Sequence, residues 1–412
     1  MELVKKDKKE KAILVGCIFN EQDVESLEEL KELADTAGAE VVGVLTQKRE
    51  YKDRAYYIGK GKLQELKEIK DNQNIDLVIF NDELTGIQLK NIEDLLQIKI
   101  IDRTNLILDI FSKRAKSKEG MLQVELAQLK YRLPRLTGFG IEMSRLGGGI
   151  GTRGPGETKL ETDKRHIRRR IKAIELKLEE IKRHRMLQRE RRKKNQVPVV
   201  AIVGYTNAGK STLLNSLTSA EVYIEDKLFA TLDPTARKLI LPSKKEVILI
   251  DTVGFIRNLP HDLIESFKST LEEAKYADLL LHVIDITSFD LEYKIKVVEN
   301  VLSDLKVLDK PILNVFNKSD LLEYIPENKG NNVYISAKNK LGLDNLINLI
   351  EKTIYKTVKI INFYFPYKNS NEYRYVKEKY KILEESFLEE GIKVKAEITE
   401  DINKNLETFI IF

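Results

Sequence analysis

One glycine-bracketed run carries the strongest chemical signal in the chain: Gly204, Tyr205, Thr206, Asn207, Ala208, Gly209, Lys210, Ser211 and Thr212. It matches the spacing G-x-x-x-x-G-K-[ST], in which glycines let backbone N–H groups approach phosphate oxygens and a lysine adds a point charge. The apolar VVAIV precedes it and STLLNSL follows, so the pattern predicts a strand, a phosphate loop and a helix whose N-terminus faces the anion. Lys210 is then expected at the β- and γ-phosphates and the Ser211 hydroxyl at Mg2+. Two more strand ends fall in register. Asp251, Thr252, Val253 and Gly254 put a carboxylate near the metal shell and a glycine N–H beside the γ-phosphate. Asn317, Lys318 and Asp320 offer a carboxylate that can accept from N1 and N2 of guanine, donors that adenine cannot supply. Ser336, Ala337 and Lys338 follow the run NVYI and complete a wall for the base. The expected ligands are GTP or GDP with Mg2+.

A second glycine cluster, LGGGIGTRGPGETKLE from Leu146 to Glu161, matches a phosphate loop in composition only. It lacks the Lys-Ser/Thr ending and follows a helical pattern instead of a strand. Gly147, Gly148, Gly149, Gly154 and Gly156 allow close backbone approach to another surface, while Arg145, Arg153 and Lys159 supply phosphate contacts and stacking planes for RNA. Its flanks repeat apolar residues at helical spacing: Leu122, Leu126, Leu129 and Leu133 before it, and Ile167, Ile171, Ile174, Leu178 and Ile181 after it. Two such stripes can bury one another as an antiparallel helical hairpin, with the loop from Thr137 to Gly156 at its tip. Pro134 is expected to end the first helix. From Lys113 to Lys194 there are 25 Lys+Arg against 10 Asp+Glu, whereas the remainder carries 45 against 55. A basic arm on an otherwise acidic protein predicts a polyanionic partner, RNA.

The elements that must position these groups divide a 412-residue chain, too long for one ordinary core, into a multidomain α/β protein. Residues 1–112 form a small N-terminal α/β domain, with AILVGCIF, VVGVL, DLVIF, IKIID and LILDIF as strands of a largely parallel sheet. Residues 113–196 form the basic hairpin. Residues 197–357 form a doubly wound nucleotide-binding domain on the strands VVAIV, EVILID, LLLHVIDI, PILNVFN and NVYIS. Residues 358–412 form a small α+β C-terminal domain. There a strand spans 358–365, a helix face runs through Tyr373, Val376, Tyr380, Leu383 and Phe387 to Gly391, and Ile392 to Ile398 alternate as a strand. The apolar run after the first lysines stops at Asn20-Glu21, and no stretch approaches the roughly 20 residues needed to cross a bilayer. The single Cys17 cannot form an internal disulfide, and His166, His184, His261 and His282 lack ligand spacing. A cytoplasmic monomer with no membrane span and no metal beyond Mg2+ is expected.

In this order and spacing the nucleotide motifs resemble the translation-factor-related GTPases. Within that class LFATLDPTAR (Leu228 to Arg237), DTVGFIRNLP (Asp251 to Pro260), RGPGE and YYIGKGK (Tyr56 to Lys62) resemble HflX-type GTPases over nearly the whole chain. The resemblance implies a P-loop GTPase domain and a ribosome-associated enzyme that hydrolyses GTP. It further implies binding to the large ribosomal subunit and its RNA and, in some members, splitting of stalled or inactive ribosomes. On the residues alone, Thr231 and Thr235 are equal candidates to hand a hydroxyl to Mg2+; the family pattern F-A-T-L-D points to Thr231. The same pattern adds Phe229, Ala230, Leu232 and Asp233 to the nucleotide-facing set, and catalytic roles then fall to Lys210, Thr231 and Gly254. The arginine- and glycine-rich tip would probe the large subunit's catalytic centre. The resemblance also hints at an ATP-linked activity or an RNA contact at Gly59-Lys60-Gly61-Lys62, which by spacing is equally a lysine-rich turn before a helix.

Many GTPases place a water-orienting glutamine after D-x-x-G, and this chain has Phe255 there. An apolar ring cannot orient water, so hydrolysis is expected to be slow alone and stimulated by a partner. Arg237 and Arg257 are arginine-finger candidates only by proximity. The alternative is an ATP-dependent RNA-remodelling or RNA-binding protein in which the GTP site is regulatory.

Overall fold

The computed structural model describes residues 9–136, 155–194, 197–218, 228–229, 232, 235–257, 273–355, 359–398, 406 and 408–411. Packing divides the chain into two compact units, residues 1–239 with 247–341 and residues 240–246 with 342–412.

The first unit begins with β1 (Lys11–Ile18), α1 (Glu21–Ala37), β2 (Glu40–Lys48), α2 (Lys60–Gln73), β3 (Leu77–Phe80), α3 (Gly86–Leu96) and β4 (Lys99–Asp102), which make a parallel sheet in the order β2-β1-β3-β4. LILDIF, expected as a fifth strand, lies inside a helix, α4 (Arg103–Arg114). The Asp102 carboxylate accepts the Asn105 N–H at 2.9 Å and starts that helix. Leu106, Ile107, Ile110 and Phe111 then bury a face at helical spacing, which a short apolar run does not reveal.

Next come α5 (Lys118–Arg135) and α6 (Pro155–Lys194), the arms of the hairpin. Leu122, Leu126 and Ile174 meet at its centre with Leu129, Ile171, Leu178 and Ile181 around them. The ion pairs Arg170–Glu125 at 2.6 Å and Lys130–Glu175 at 3.3 Å cross between the arms. Pro134 does not end the first helix, which continues to Arg135. There the Arg135 guanidinium supplies local donors, reaching the Tyr131 carbonyl at 2.7 Å. Gly156, expected at the end of the tip loop, and Lys159, expected as an RNA contact of the same glycine cluster, fall within α6, since Pro155 has the fixed φ suited to a helix start. Arg145, Gly147, Gly148, Gly149, Arg153 and Gly154 lie outside the described residues.

The part that carries the phosphate-loop motif follows: β5 (Val199–Gly204), α7 (Lys210–Thr218), β6 (Thr235–Ile240), β7 (Glu246–Asp251), β8 (Leu279–Asp285), α8 (Leu291–Asp304), β9 (Ile312–Asn317) and β10 (Asn332–Tyr334). The sheet order is β10-β9-β8-β5-β7-β6. Chain order reverses between β5 and β8, so the crevice for a ligand opens at their carboxyl ends, where the phosphate-loop motif stands. The edge strand β6 was not expected from the sequence.

The second unit holds α9 (Leu343–Ile354), β11 (Lys359–Pro366), α10 (Ser370–Lys379), β12 (Lys381–Leu388), β13 (Gly391–Ile398) and β14 (Ile410–Ile411), with the antiparallel order β12-β13-β11-β14. The helix expected through Leu383 and Phe387 stops at Lys379, and 381–388 is a strand. Pairing with β13 overrides the helical spacing, and a register shift between Ile382 and Glu384 hides the period-two pattern.

Because Ile174 is the buried knob between the hairpin arms, Ile174→Ala should cost about 2–4 kcal/mol of local stability. Amide hydrogen exchange should show faster opening of α5 and α6; unchanged protection there would mean that the apolar stripe does not hold the arms.

Candidate active site

Strand β5 delivers the chain to the phosphate loop through Gly204, whose φ is +153°, and Gly209 leaves it at φ +91°. A side chain on Gly204 would collide with the Val283 carbonyl oxygen, and one on Gly209 with the Asn317 amide nitrogen. Both glycines are therefore demanded by backbone conformation and by space. Asn207 also takes a left-handed turn, at φ +61°. The loop bends so that α7 begins at Lys210, with Ser211 and Thr212 in its first turn. The Thr206 hydroxyl is buried without a hydrogen-bond partner among the described residues, as is that of Ser319. Buried hydroxyls of this kind fit a loop built to meet a polar ligand.

Lys210 is enclosed, and its ammonium donates to the Tyr205 carbonyl at 2.7 Å. Burial pushes this lysine down to about 8, opposed by the pull of Asp251. Ser211 donates to the Asp251 carboxylate at 2.7 Å. Two hard oxygen donors thus converge beside the lysine, a donor set suited to Mg2+. The Thr252 hydroxyl anchors to the Ile202 carbonyl at 2.7 Å, tying β7 to β5. Gly254 lies so close that a Cβ there would stand 2.8 Å from the Lys210 ammonium and 2.9 Å from Thr206 Cα. Phe255 donates its N–H to Gly204 at 3.1 Å and accepts that of Thr206 at 2.7 Å, so the D-x-x-G loop runs as a short parallel bridge on the phosphate loop.

The base wall is knitted by Asn317. Its amide donates to the Ala208 carbonyl at 2.8 Å, and its oxygen accepts the Ala337 N–H at 2.9 Å, so one side chain joins the phosphate loop to the segment after β10. The Ala337 carbonyl accepts Ser216 Oγ at 2.6 Å, and Ser336 Oγ accepts the Asn339 N–H at 3.1 Å. Lys318 turns at φ +64° and pairs with Asp285 at 2.6 Å. Asp320, half-buried, accepts from the Asn339 amide at 3.0 Å, while Lys338 is exposed.

Three family models match consecutive stretches: a GTP-binding GTPase N-terminal region over residues 24–112, a GTP-binding GTPase middle region over 114–192 and a 50S ribosome-binding GTPase over 199–318. Among curated relatives, GTPase HflX of Caldanaerobacter subterraneus subsp. tengcongensis is 68% identical over 411 residues, covering 100% of this chain and 96% of the relative. The chain belongs to the HflX GTPase family. GTPase HflX of Escherichia coli K12 is 44% identical over 356 residues, with 84% of each chain covered. A solved structure, the SsGBP and GDP complex, aligns with a TM-score of 0.50 at 29% identity, covering 83% of this chain and 98% of that one. The family's activity is GTP hydrolysis, carried on a P-loop GTPase domain that binds GTP or GDP.

Several residues expected at the nucleotide are placed elsewhere. Phe229 and Leu232, with Leu228 and Val253, bury their side chains in an apolar cluster with Leu30, Phe111 and Val124 of the N-terminal region and hairpin base. The Phe229 ring meets Phe111 edge-on at 4.6 Å. Apolar burial decides their direction, a constraint that the motif pattern does not encode. Ala230, Thr231 and Asp233 lie outside the described residues, and Thr235 begins β6. Tyr205 contributes backbone to the loop, while its hydroxyl points to Glu29. Arg257 is buried against carboxylates and is no free finger; Phe255 is packed in the core with Val203 and Leu280. Asp285, Asn339 and Glu29 were missed. The acidic end of LLLHVID was a usable signal for Asp285, whereas Glu29 is one of many glutamates on α1. At Gly59-Lys60-Gly61-Lys62, the Gly59 N–H is taken by Gln47 at 2.8 Å and Lys62 pairs with Glu65 at 2.9 Å.

Phosphate oxygens favour the charged form of Lys210, whereas in the free protein burial brings the midpoint of its proton loss down to about 8. Nucleotide binding should therefore be pH-independent at this residue below about pH 7 and should take up a proton above about pH 8, with affinity falling towards about tenfold per unit. Calorimetric titration with GDP at pH 9, in two buffers of different ionisation heat, should report close to one proton gained. No uptake would mean that Lys210 keeps an ordinary lysine pKa.

Proposed function

We propose that this GTPase docks on the large ribosomal subunit, splits stalled or inactive ribosomes, and hydrolyses GTP slowly until the ribosome stimulates it. The observation that carries this reading is the junction between arm and enzyme. The basic helix α6 ends at Lys194 and β5 begins at Val199, so the RNA-facing arm enters the nucleotide domain on the strand that bears the phosphate loop. Arg185 of α6 also lies 3.7 Å from Glu273, downstream of the D-x-x-G loop. The family description of a 50S ribosome-binding GTPase supports the choice of subunit.

In this reading Lys210 and the loop amides bind the phosphates. Ser211, Thr231 and, through water, Asp251 hold Mg2+. Gly254 faces the γ-phosphate, and Asp320, with Asn317 and the 336–338 segment, reads guanine. Arg145, Arg153 and Lys159, with the neighbouring glycines, contact ribosomal RNA. Residues 1–112, 113–196, 197–357 and 358–412 act as four parts of a cytoplasmic monomer. Packing of Phe255 into the core leaves the water to be positioned by another group, and the ribosome is its source. Phosphoryl transfer depends mainly on positioning and electrostatics, so a partner can add about a thousandfold or more.

Purified large subunits should raise GTP turnover at least about tenfold, while small subunits should leave it nearly unchanged, as expected for partner-assisted phosphoryl transfer. Equal stimulation by both, or by neither, would overturn the reading.

Asp320→Asn exchanges a carboxylate acceptor for an amide that can donate to the C2 carbonyl of xanthine. GTP affinity should fall by about a hundredfold or more, and xanthosine diphosphate should become the better ligand. A fluorescence titration that finds GTP affinity unchanged would remove Asp320 from the base pocket.

A further inference from the structure

Asp320 sits in a short 3-10 turn, Ser319–Leu321, whose first N–H donates to the Ile335 carbonyl at 3.0 Å. Its Oδ2 accepts from the Asn339 side-chain amide at 3.0 Å. Asn339 belongs to none of the nucleotide motifs and stands one residue beyond the 336–338 segment. It is carried on a turn closed by two backbone bonds: Ser336 N–H to the Leu341 carbonyl at 3.1 Å, and Leu341 N–H to the Ser336 carbonyl at 3.0 Å. Inside that turn the Asn339 N–H donates to the buried Ser336 Oγ at 3.1 Å, and Lys340 takes the left-handed region at φ +57°. The amide therefore reaches Asp320 from a fixed frame.

The lysine of the same motif is tethered separately. Lys318 pairs with Asp285 Oδ2 at 2.6 Å, while Asp285 Oδ1 accepts the Thr287 N–H at 3.1 Å and its hydroxyl at 2.7 Å. An ionised carboxylate offers about four lone-pair sites. Asn339 occupies one on Asp320 Oδ2, and the two guanine donors, N1–H and the 2-amino group, need two of the others. Asn339 can thus stay bonded when the base arrives. What it fixes is rotation of the carboxylate about its last bond, a torsion that is broad when nothing holds it. Two donors side by side demand one setting of that plane, whereas a single donor is met over a wide range of settings.

We propose that Asn339 is a positioning residue for guanine recognition: by holding the plane of the Asp320 carboxylate it lets the 2-amino group be read, and so sets the preference for guanine over hypoxanthine. The inference rests on the reading of Asp320 as the guanine acceptor and stands apart from the ribosome reading.

The test uses the full chain without ribosomes and measures the affinities of GDP and of inosine diphosphate, which lacks the 2-amino group, by competition against a fluorescent GDP analogue. Asn339 is exposed, so Asn339→Ala removes the donor and keeps the fold. GDP affinity should fall by roughly fivefold and that of inosine diphosphate by no more than about twofold, so the preference for guanine narrows. Asn339→Asp sets a like charge beside Asp320 and should narrow the preference at least as far at low salt, with partial recovery as salt screens the pair. Asp285→Asn supplies the contrast. It loosens Lys318, which is a donor only and cannot accept from the 2-amino group, so both nucleotides should weaken by the same factor. A merely structural Asn339 would lower the melting temperature or weaken both nucleotides alike. The inference is overturned if folded Asn339→Ala and Asn339→Asp keep the original ratio of the two affinities, or if Asp285→Asn narrows that ratio as much. Asp320→Asn separates this result from the reading beneath it. Unchanged GTP affinity there removes Asp320 from the base pocket and the inference with it, whereas a loss of GTP affinity there with an unaltered ratio in Asn339→Ala overturns the role of Asn339 alone.

Discussion

An enclosed ammonium can persist only where an acceptor and a negative charge are built around it, and Lys210 has both: the Tyr205 carbonyl and the nearby Asp251. Much of the surrounding architecture follows from that requirement. The carbonyl faces inward because Gly204 and Gly209 take conformations that a side chain would forbid. The carboxylate arrives because β7 lies beside β5 in the sheet, with Asp251 paired to Ile202. The burial that depresses Lys210 also acts on His282 of β8, pushed down to about 4 by desolvation and by the lysine's charge. That histidine is therefore neutral at physiological pH and serves as packing beneath the loop.

The phosphate and base motifs were legible because they are local. Each is a short string at a strand end, and the alternation of apolar runs with helical stretches is enough to put those ends on one edge of a sheet. Legibility stopped where distant packing decided the outcome. Phe229 and Leu232 sit in a motif that points to nucleotide, but a buried cluster around Phe111 offers their side chains a better place. LILDIF has the composition of a strand, yet the Asp102 cap and a one-sided apolar face make it a helix. In β12 a bulge erased the period-two signal, and the spacing of Tyr380, Leu383 and Phe387 was left to suggest a helix. Glu29 was illegible for another reason. Among the glutamates of α1, nothing in the sequence distinguishes the one that turns towards Tyr205 and two arginines.

The acidic balance outside the hairpin has a structural use. Glu25 and Glu29 on α1, with Asp290 before α8, neutralise Arg103 and Arg257 in the interior, so part of the charge asymmetry seen in the sequence is internal pairing. The hairpin spends some of its charge in the same way, through Glu125–Arg170, Lys130–Glu175 and Glu119–Arg185. Many of its other basic residues, such as Arg168, Arg169 and Lys172, stand exposed along one long helix.

That helix is also a lever. Its 40 residues span about 60 Å at the usual helical rise, and its far end is joined by residues 195–198 to β5. A rigid rod of that length turns a tilt of about 5° into a displacement of about 5 Å at the opposite end. The fulcrum lies one strand away from the phosphate loop. Any tilt of α6 about that junction would be magnified at the hairpin's other end, with leverage fixed by its number of turns. Inserting or deleting a turn of α6 would change that ratio without touching a residue of the catalytic site.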